Sequence, residues 1–142
     1  MAPLPDALVW SLIRKQNRFL TKRDRVQFSS EAGNLTNVSN FRSSGLANSK
    51  SVDVSVVGAD DDEKVQLTFK AKKKSCKPSA GNVRVPLRND PRRSERQLRQ
   101  ATTGTYYRAD LQSDALARYA RQQKSLIRKK ANVTYEAKSR RR

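Results

Sequence analysis

Positive charge in this chain is gathered at one end. Residues 1–70 carry 10 basic and 8 acidic side chains while residues 71–142 carry 21 and 5, so the net charge of +18 divides into +2 and +16. A compact fold with so large an excess repels itself, and a polyanionic partner relieves that repulsion. Nucleic acid is the first such partner to consider and an anionic membrane the second. With 142 residues and a 35% hydrophobic share, the chain supports one domain with extensions and only a modest core.

Several functional classes are excluded by what the sequence omits. Cys76 is the single cysteine and histidine is absent, which removes internal disulfides and the usual zinc ligand sets and fits an intracellular, reducing location. The apolar run ALVWSLI is followed at once by Arg14 and Lys15, so neither a signal peptide nor a spanning helix is expected. The glycosylation sequons at Asn34, Asn37 and Asn132 are then chance matches in an Asn-rich chain. Cys76 sits among Lys72, Lys73, Lys74 and Lys77, which would favour a thiolate, but no base or acid accompanies it. Asp60, Asp61, Asp62 and Glu63 lack the spacing of a calcium loop and read as a solvated hairpin tip. No catalytic residue, metal, cofactor or small-molecule substrate is expected.

Leu8, Val9, Leu12 and Ile13 recur at helical spacing and predict a helix over 5–17, with Trp10 off the stripe as a core or edge aromatic or as a partner contact. Phe19 and Leu20 precede a charged turn near residues 22–25 and Val26 and Phe28 follow it, which predicts two short strands. SVDVSVV and KVQLTFK form a clearer hairpin, with Val52, Val54 and Val56 on one face and Val65, Leu67 and Phe69 on one face. Between these units, residues 33–54 have the Gly, Asn and Ser content of a linker, yet contain Leu35, Val38, Phe41 and Leu46. A free linker has no need of such residues, so the segment is expected to fold onto something.

Beyond Lys70 the pattern changes. Residues 71–89, with Lys72, Lys73, Lys74, Lys77, Arg84 and Arg88 interrupted by Pro, Gly and Ser, read as an extended basic arm ordered mainly by what it touches. Asp90 and Pro91 are a helix start and Gly104 a helix stop; Arg92, Arg96 and Arg99 share one face, with Arg93 adjacent. Leu98 is the one large apolar residue there, so this helix is expected to gain its stability chiefly from phosphates. A longer helix over 109–130 has a narrow stripe of Leu111, Ala115, Tyr119, Leu126 and Ile127 and a basic one of Arg118, Arg121, Lys124 and Arg128, followed by Lys129 and Lys130. Tyr106 and Tyr107 beside Arg108 offer stacking surfaces for unpaired bases, against the alternative of core aromatics. The basic residues from Lys70 onward are the candidate RNA contacts.

The order of LVWSLIRKQNRFLTKR and NLTNVSNFRSSGLANSKSVDV resembles the eukaryotic large-subunit ribosomal protein family numbered twenty-eight. The residues that carry the likeness are Trp10, Phe19, Leu20, Lys22, Arg23, Asn34, Leu35, Phe41, Arg42, Gly45, Leu46, Lys50 and Val52, with Tyr107, Arg108, Asp110 and Leu111 further on. The resemblance implies a non-catalytic protein of the cytoplasmic large ribosomal subunit, assembled in the nucleolus. Its expected partners are ribosomal RNA and neighbouring large-subunit proteins, with no membrane. It further implies that residues 33–54 are no linker: Phe41 and Leu46 would pin the segment to the body, Arg42 and Lys50 would face phosphate, and Gly45 would allow a positive φ or a close approach. The expected fold is α+β: a small α/β body over 1–70 with short antiparallel strands, a basic arm over 71–89, two basic helices on RNA over 90–131, and a basic tail over 132–142. A free-standing basic nucleic-acid-binding or RNA-chaperone protein is the alternative.

Overall fold

The computed structural model describes residues 4–58, 63–71, 81–87 and 90–130. The acidic tip residues 60–62, Cys76 with its neighbouring lysines, Arg88 and the tail lie outside the described residues.

Helix α1, Asp6–Ile13, is shorter than its periodicity suggests and none of its residues is buried. A periodic apolar stripe ordinarily faces a core, but Leu12 is 67% exposed, and Leu8 is exposed as well. The helix is tethered instead by a tilted Trp10–Phe41 ring pair at 5.9 Å and by the Asp6 carboxylate, which accepts from the Ser49 amide at 3.0 Å. Strands β1, Leu20–Arg23, and β2, Val26–Ser29, form the first hairpin, with Arg23 opposite Val26 and Asp24 at φ 53° in the tight turn.

Strands β3, Val52–Val57, β4, Lys64–Lys70, and β5, Asn82–Pro86, form an antiparallel sheet in that order. Val52 pairs with Phe69, Val54 with Leu67 and Val56 with Val65, which puts the alternating apolar residues of both strands on one face. Strand β5 lies inside the stretch expected to be an extended arm. Asn82–Pro86 alternates Val83 and Val85 opposite Phe69 and Leu67, and Pro86 is tolerated because β5 is an edge strand. The order in this part of the arm comes from β4, whose free edge supplies the backbone partners.

Helix α2, Pro91–Arg99, starts where expected, the Asp90 carboxylate accepting from the Arg92 amide at 3.1 Å. It runs on into one turn of π geometry, Gln100–Gly104. A 3-10 turn, Ala109–Leu111, then leads into α3, Gln112–Lys130. The buried face of the sheet is covered by these helices: Val52, Val54, Val65 and Leu67 join Leu98 of α2, Leu111 of the 3-10 turn and Ala115, Tyr119 and Leu126 of α3 in one cluster, with Leu35 and Leu87. The core thus draws on both sides of residue 70. The buried face of this stretch is larger than its one large apolar residue suggests, since Ser94 and Leu98 of α2 and Thr102 of the π turn are fully enclosed.

Residues 33–54 are pinned to this body, as expected of a segment that is no linker, but by other side chains. Leu35, Ala47, Asn34 and Ser44 are buried, whereas Phe41 and Leu46 are partly exposed. The buried groups form a polar network: Asn34 Nδ2 donates to Glu31 at 3.2 Å and to the Val38 carbonyl at 3.0 Å, and Ser44 Oγ to Glu31 at 3.3 Å. Gly45 is there for close approach, since a Cβ would collide with the Ala32 carbonyl and the Gly33 backbone; the positive φ, 86°, belongs to Gly33.

If α2 belongs to the core, Leu98→Ala leaves a cavity and lowers unfolding free energy by about 2–5 kcal/mol. Denaturant unfolding of the isolated protein measures this, and a change within about 0.5 kcal/mol, typical of a surface site, would return α2 to the role of an RNA-dependent helix.

Candidate nucleic-acid interface

The structure sorts the cations of the second half into two groups. One group faces inward, and Arg118 leads it. Leu111, Ala115 and Arg118 are related as i, i+4 and i+7, so the guanidinium emerges on the buried stripe of α3 rather than on its basic one. It donates from Nε to the Val54 carbonyl at 2.8 Å and from Nη1 to the Asn34 and Leu35 carbonyls, each at 2.8 Å. The Asn37 side-chain oxygen is a further acceptor at 3.1 Å, and Asp53 lies 3.5 Å from Nη2, close enough for an ion pair but not for a hydrogen bond. Gln122, one turn on, donates to the same Val54 carbonyl at 2.7 Å.

Arg108 does the same at the other end of the segment. Its side chain is only 14% exposed. Nη1 donates to the Lys50 carbonyl at 2.9 Å and Nη2 to the Arg42 carbonyl at 2.7 Å, while Nε and Nη2 grip the Asp110 carboxylate at 2.9 Å each. Arg42, expected to face phosphate, pairs with Asp110 at 3.5 Å and Asp114 at 3.2 Å and donates to the Asp110 carbonyl, although half of it stays exposed. Lys50 stands over the Tyr107 ring at 5.6 Å. The Lys70 ammonium donates to the Asn48 carbonyl at 2.9 Å, and burial pulls its pKa down against the opposing pull of Asp6 and Glu31.

The other group faces solvent. Arg92, Arg96 and Arg99 on α2 and Arg121, Lys124 and Arg128 on α3 are exposed, as is Arg84 on the edge strand. None of these seven forms an ion pair among the described residues; Arg93 meets Asp90 at 3.3 Å and Lys129 meets Glu63 at 2.8 Å. Lys130 closes α3. Lys72, Lys73, Lys74, Lys77 and Arg88 lie outside the described residues. The two tyrosines part company: the Tyr107 hydroxyl donates to the Lys70 carbonyl at 2.6 Å with its ring edge-on to Phe69, whereas Tyr106 is 85% exposed. Burial raises the Tyr107 pKa, so it stays a donor across the physiological range.

Counting charges along the sequence could not separate these groups, because an arginine on a buried stripe scores like one on a solvated face. The separating signal was positional, in the register of Arg118 with Leu111 and Ala115. Arg108 offered no comparable signal, since it lies in irregular chain. Among the described residues no cluster of His, Cys, Asp or Glu could hold a metal ion, and no helix is long and apolar enough to cross a membrane.

The model of the Ribosomal L28e protein family matches residues 8–125. Large ribosomal subunit protein eL28 of Dictyostelium discoideum is 33% identical over 132 residues, which is 92% of this chain and 96% of that protein. Large ribosomal subunit protein eL28 of Caenorhabditis elegans is 43% identical over 54 residues, 37% of this chain and 43% of the relative. The matched residues include Arg108 and Arg118, the outward arginines of α2, and Arg121 and Lys124 of α3.

The Arg108 clamp has a pH signature. Hydrogen bonding from Arg108, helped by its charge and by Arg42, holds the Asp110 carboxyl below its ordinary range in spite of partial burial. A carboxyl with a depressed folded-state pKa contributes stability above its unfolded value, near 3.9, and loses it as pH falls through the folded value. Asp110→Asn is therefore expected to be less stable than the unaltered protein at neutral pH, with the gap closing as the pH falls below about 4. Denaturant midpoints across that range measure it, and a gap that ignores pH would contradict the clamp. Because Asp110 is nearly half exposed, added salt should shrink the gap as well.

Proposed function

Because the chain belongs to the Ribosomal L28e protein family, we propose that it is a structural constituent of the large ribosomal subunit that binds and stabilises ribosomal RNA through the outward faces of α2 and α3. The observation that carries this reading is the division of the cations. Those the fold needs are satisfied by carbonyls and carboxylates, while Arg92, Arg96, Arg99, Arg121, Lys124 and Arg128 remain exposed. Two convex basic ridges of this kind follow an irregular phosphate path and neutralise it by counterion release. The lysines of residues 72–77 add to the same field by sequence alone.

In this role the protein performs no catalysis and takes no cofactor. Its neighbours are ribosomal RNA and adjacent large-subunit proteins, reached in the cytoplasmic ribosome after nucleolar assembly. The basic residues of the tail over 132–142 add to the same field by sequence alone, and the exposed stripe of α1 offers adjacent proteins an apolar contact.

A tagged chain is expected to co-sediment with intact large subunits. In binding to large-subunit RNA, replacing Arg92, Arg96 and Arg99 by Ala should flatten the dependence of log affinity on log salt by about two to three units. Replacing Arg14, Lys15 and Arg18 should alter it less, since the first half is nearly neutral. Alanine keeps helix propensity, so loss of fold does not mimic the result. A chain left at the top of the gradient defeats the ribosomal assignment; equal slopes for the two triple variants defeat the division of charge.

A further inference from the structure

Tyr106 is presented outward by a backbone that disfavours it. Its φ is 50°, in the left-handed region, and the other described non-glycine residues there, Asp24 and Asn37, are types that tolerate it. The turn is over-determined. The Tyr106 amide donates to the Thr103 carbonyl and the Tyr107 amide to the Thr102 carbonyl, both at 3.1 Å, and Thr105 Oγ1 donates to the Ala101 carbonyl at 2.8 Å. On one side Thr102 is buried and donates to the Leu98 carbonyl at 2.8 Å; on the other Tyr107 is fastened to Lys70. The left-handed residue between these two anchors lets adjacent tyrosines point opposite ways, one into the core and one out to 85% exposure. Backbone strain held in place by its surroundings, next to a π turn, is a frequent mark of a working position.

We propose that Tyr106 is a stacking platform for one unpaired nucleobase of the bound RNA, a proposal that rests on the RNA-binding reading above. The ring has an open face and no partner of its own among the described residues. The helical stretch that leads into its turn carries exposed Arg96 and Arg99 in the last turn of α2. Phosphates on those arginines bring a strand past the ring. A duplex keeps its bases stacked inside, so the occupant is a looped or single-stranded nucleotide.

The test uses the full chain, a short unpaired oligoribonucleotide and the same bases in a blunt duplex. Tyr106→Gly removes the ring and suits the positive φ, so the fold survives, which circular dichroism confirms. Affinity for the unpaired strand should fall about 5- to 100-fold while duplex binding and the salt slope stay as they were. In Trp10→Phe/Tyr106→Trp, the one remaining tryptophan should be quenched by the unpaired strand and not by the duplex. Affinity of Tyr106→Gly for the unpaired strand equal to that of the unaltered chain, or no quenching, overturns the platform while leaving the RNA reading standing. If the variant binds RNA normally but fails to enter large subunits, Tyr106 occupies a protein pocket and the proposal is wrong. Failure of the unaltered chain to bind large-subunit RNA removes the RNA reading itself, and this proposal with it.

Discussion

The carbonyl oxygens of Asn34, Leu35 and Val54 turn toward the interior of the protein, and the guanidinium of Arg118, 64 to 84 residues further on, satisfies all three. An unpaired buried carbonyl costs about 1–3 kcal/mol, so the segment rich in Asn and Ser cannot hold this course unless α3 is in place. Arg108 secures the far end through the Arg42 and Lys50 carbonyls. The planar, multi-donor fork of arginine suits this; a lysine at either position would offer a point charge and reach fewer acceptors. Two residues from the charged half thereby hold the polar segment of the nearly neutral half, and the two halves of the described residues are joined in spite of the charge asymmetry.

That arrangement also bears on how so basic a chain can pack a core. Inward cations meet carbonyls and the carboxylates of Asp53, Asp110 and Asp114, which removes part of the self-repulsion. Further cations are displayed on α2 and α3, whose opposite faces join the core cluster through Leu98, Ala115 and Tyr119. A rigid scaffold holds the outward arginines in fixed relative positions, which reduces the side-chain and backbone ordering that binding an RNA would otherwise demand.

Much of this was legible in the sequence. Alternation of apolar residues gave the shared faces of β3 and β4, Asp90 and Pro91 gave the start of α2, and Leu111, Ala115 and Tyr119 gave the buried stripe at and within α3. What escaped has physical reasons. Strand β5 is short and exists because β4 offers an edge, a fact local sequence cannot contain. The stripe of α1 is genuinely periodic, but α2 and α3 already cover the sheet, so Leu8 and Leu12 stay outside. In residues 33–54 the anchors are Leu35, one of the segment's apolar residues, and hydrogen-bonded Asn34 and Ser44, whereas the family resemblance pointed to Phe41 and Leu46. For the site, residue type marked the basic field correctly as a field, but which arginine faces which way depends on tertiary contacts for Arg108 and on helical register for Arg118.

The central claim is that arginines of the second half order the polar segment of the first. Amide hydrogen exchange of the isolated protein, with and without Arg118→Gln, tests it most directly. The expected result is measurable protection within residues 34–48 that falls selectively in the variant, while amides of the β3–β4 ladder keep theirs. Free exchange of the segment in the unaltered protein, or the same protection in both proteins, would contradict it.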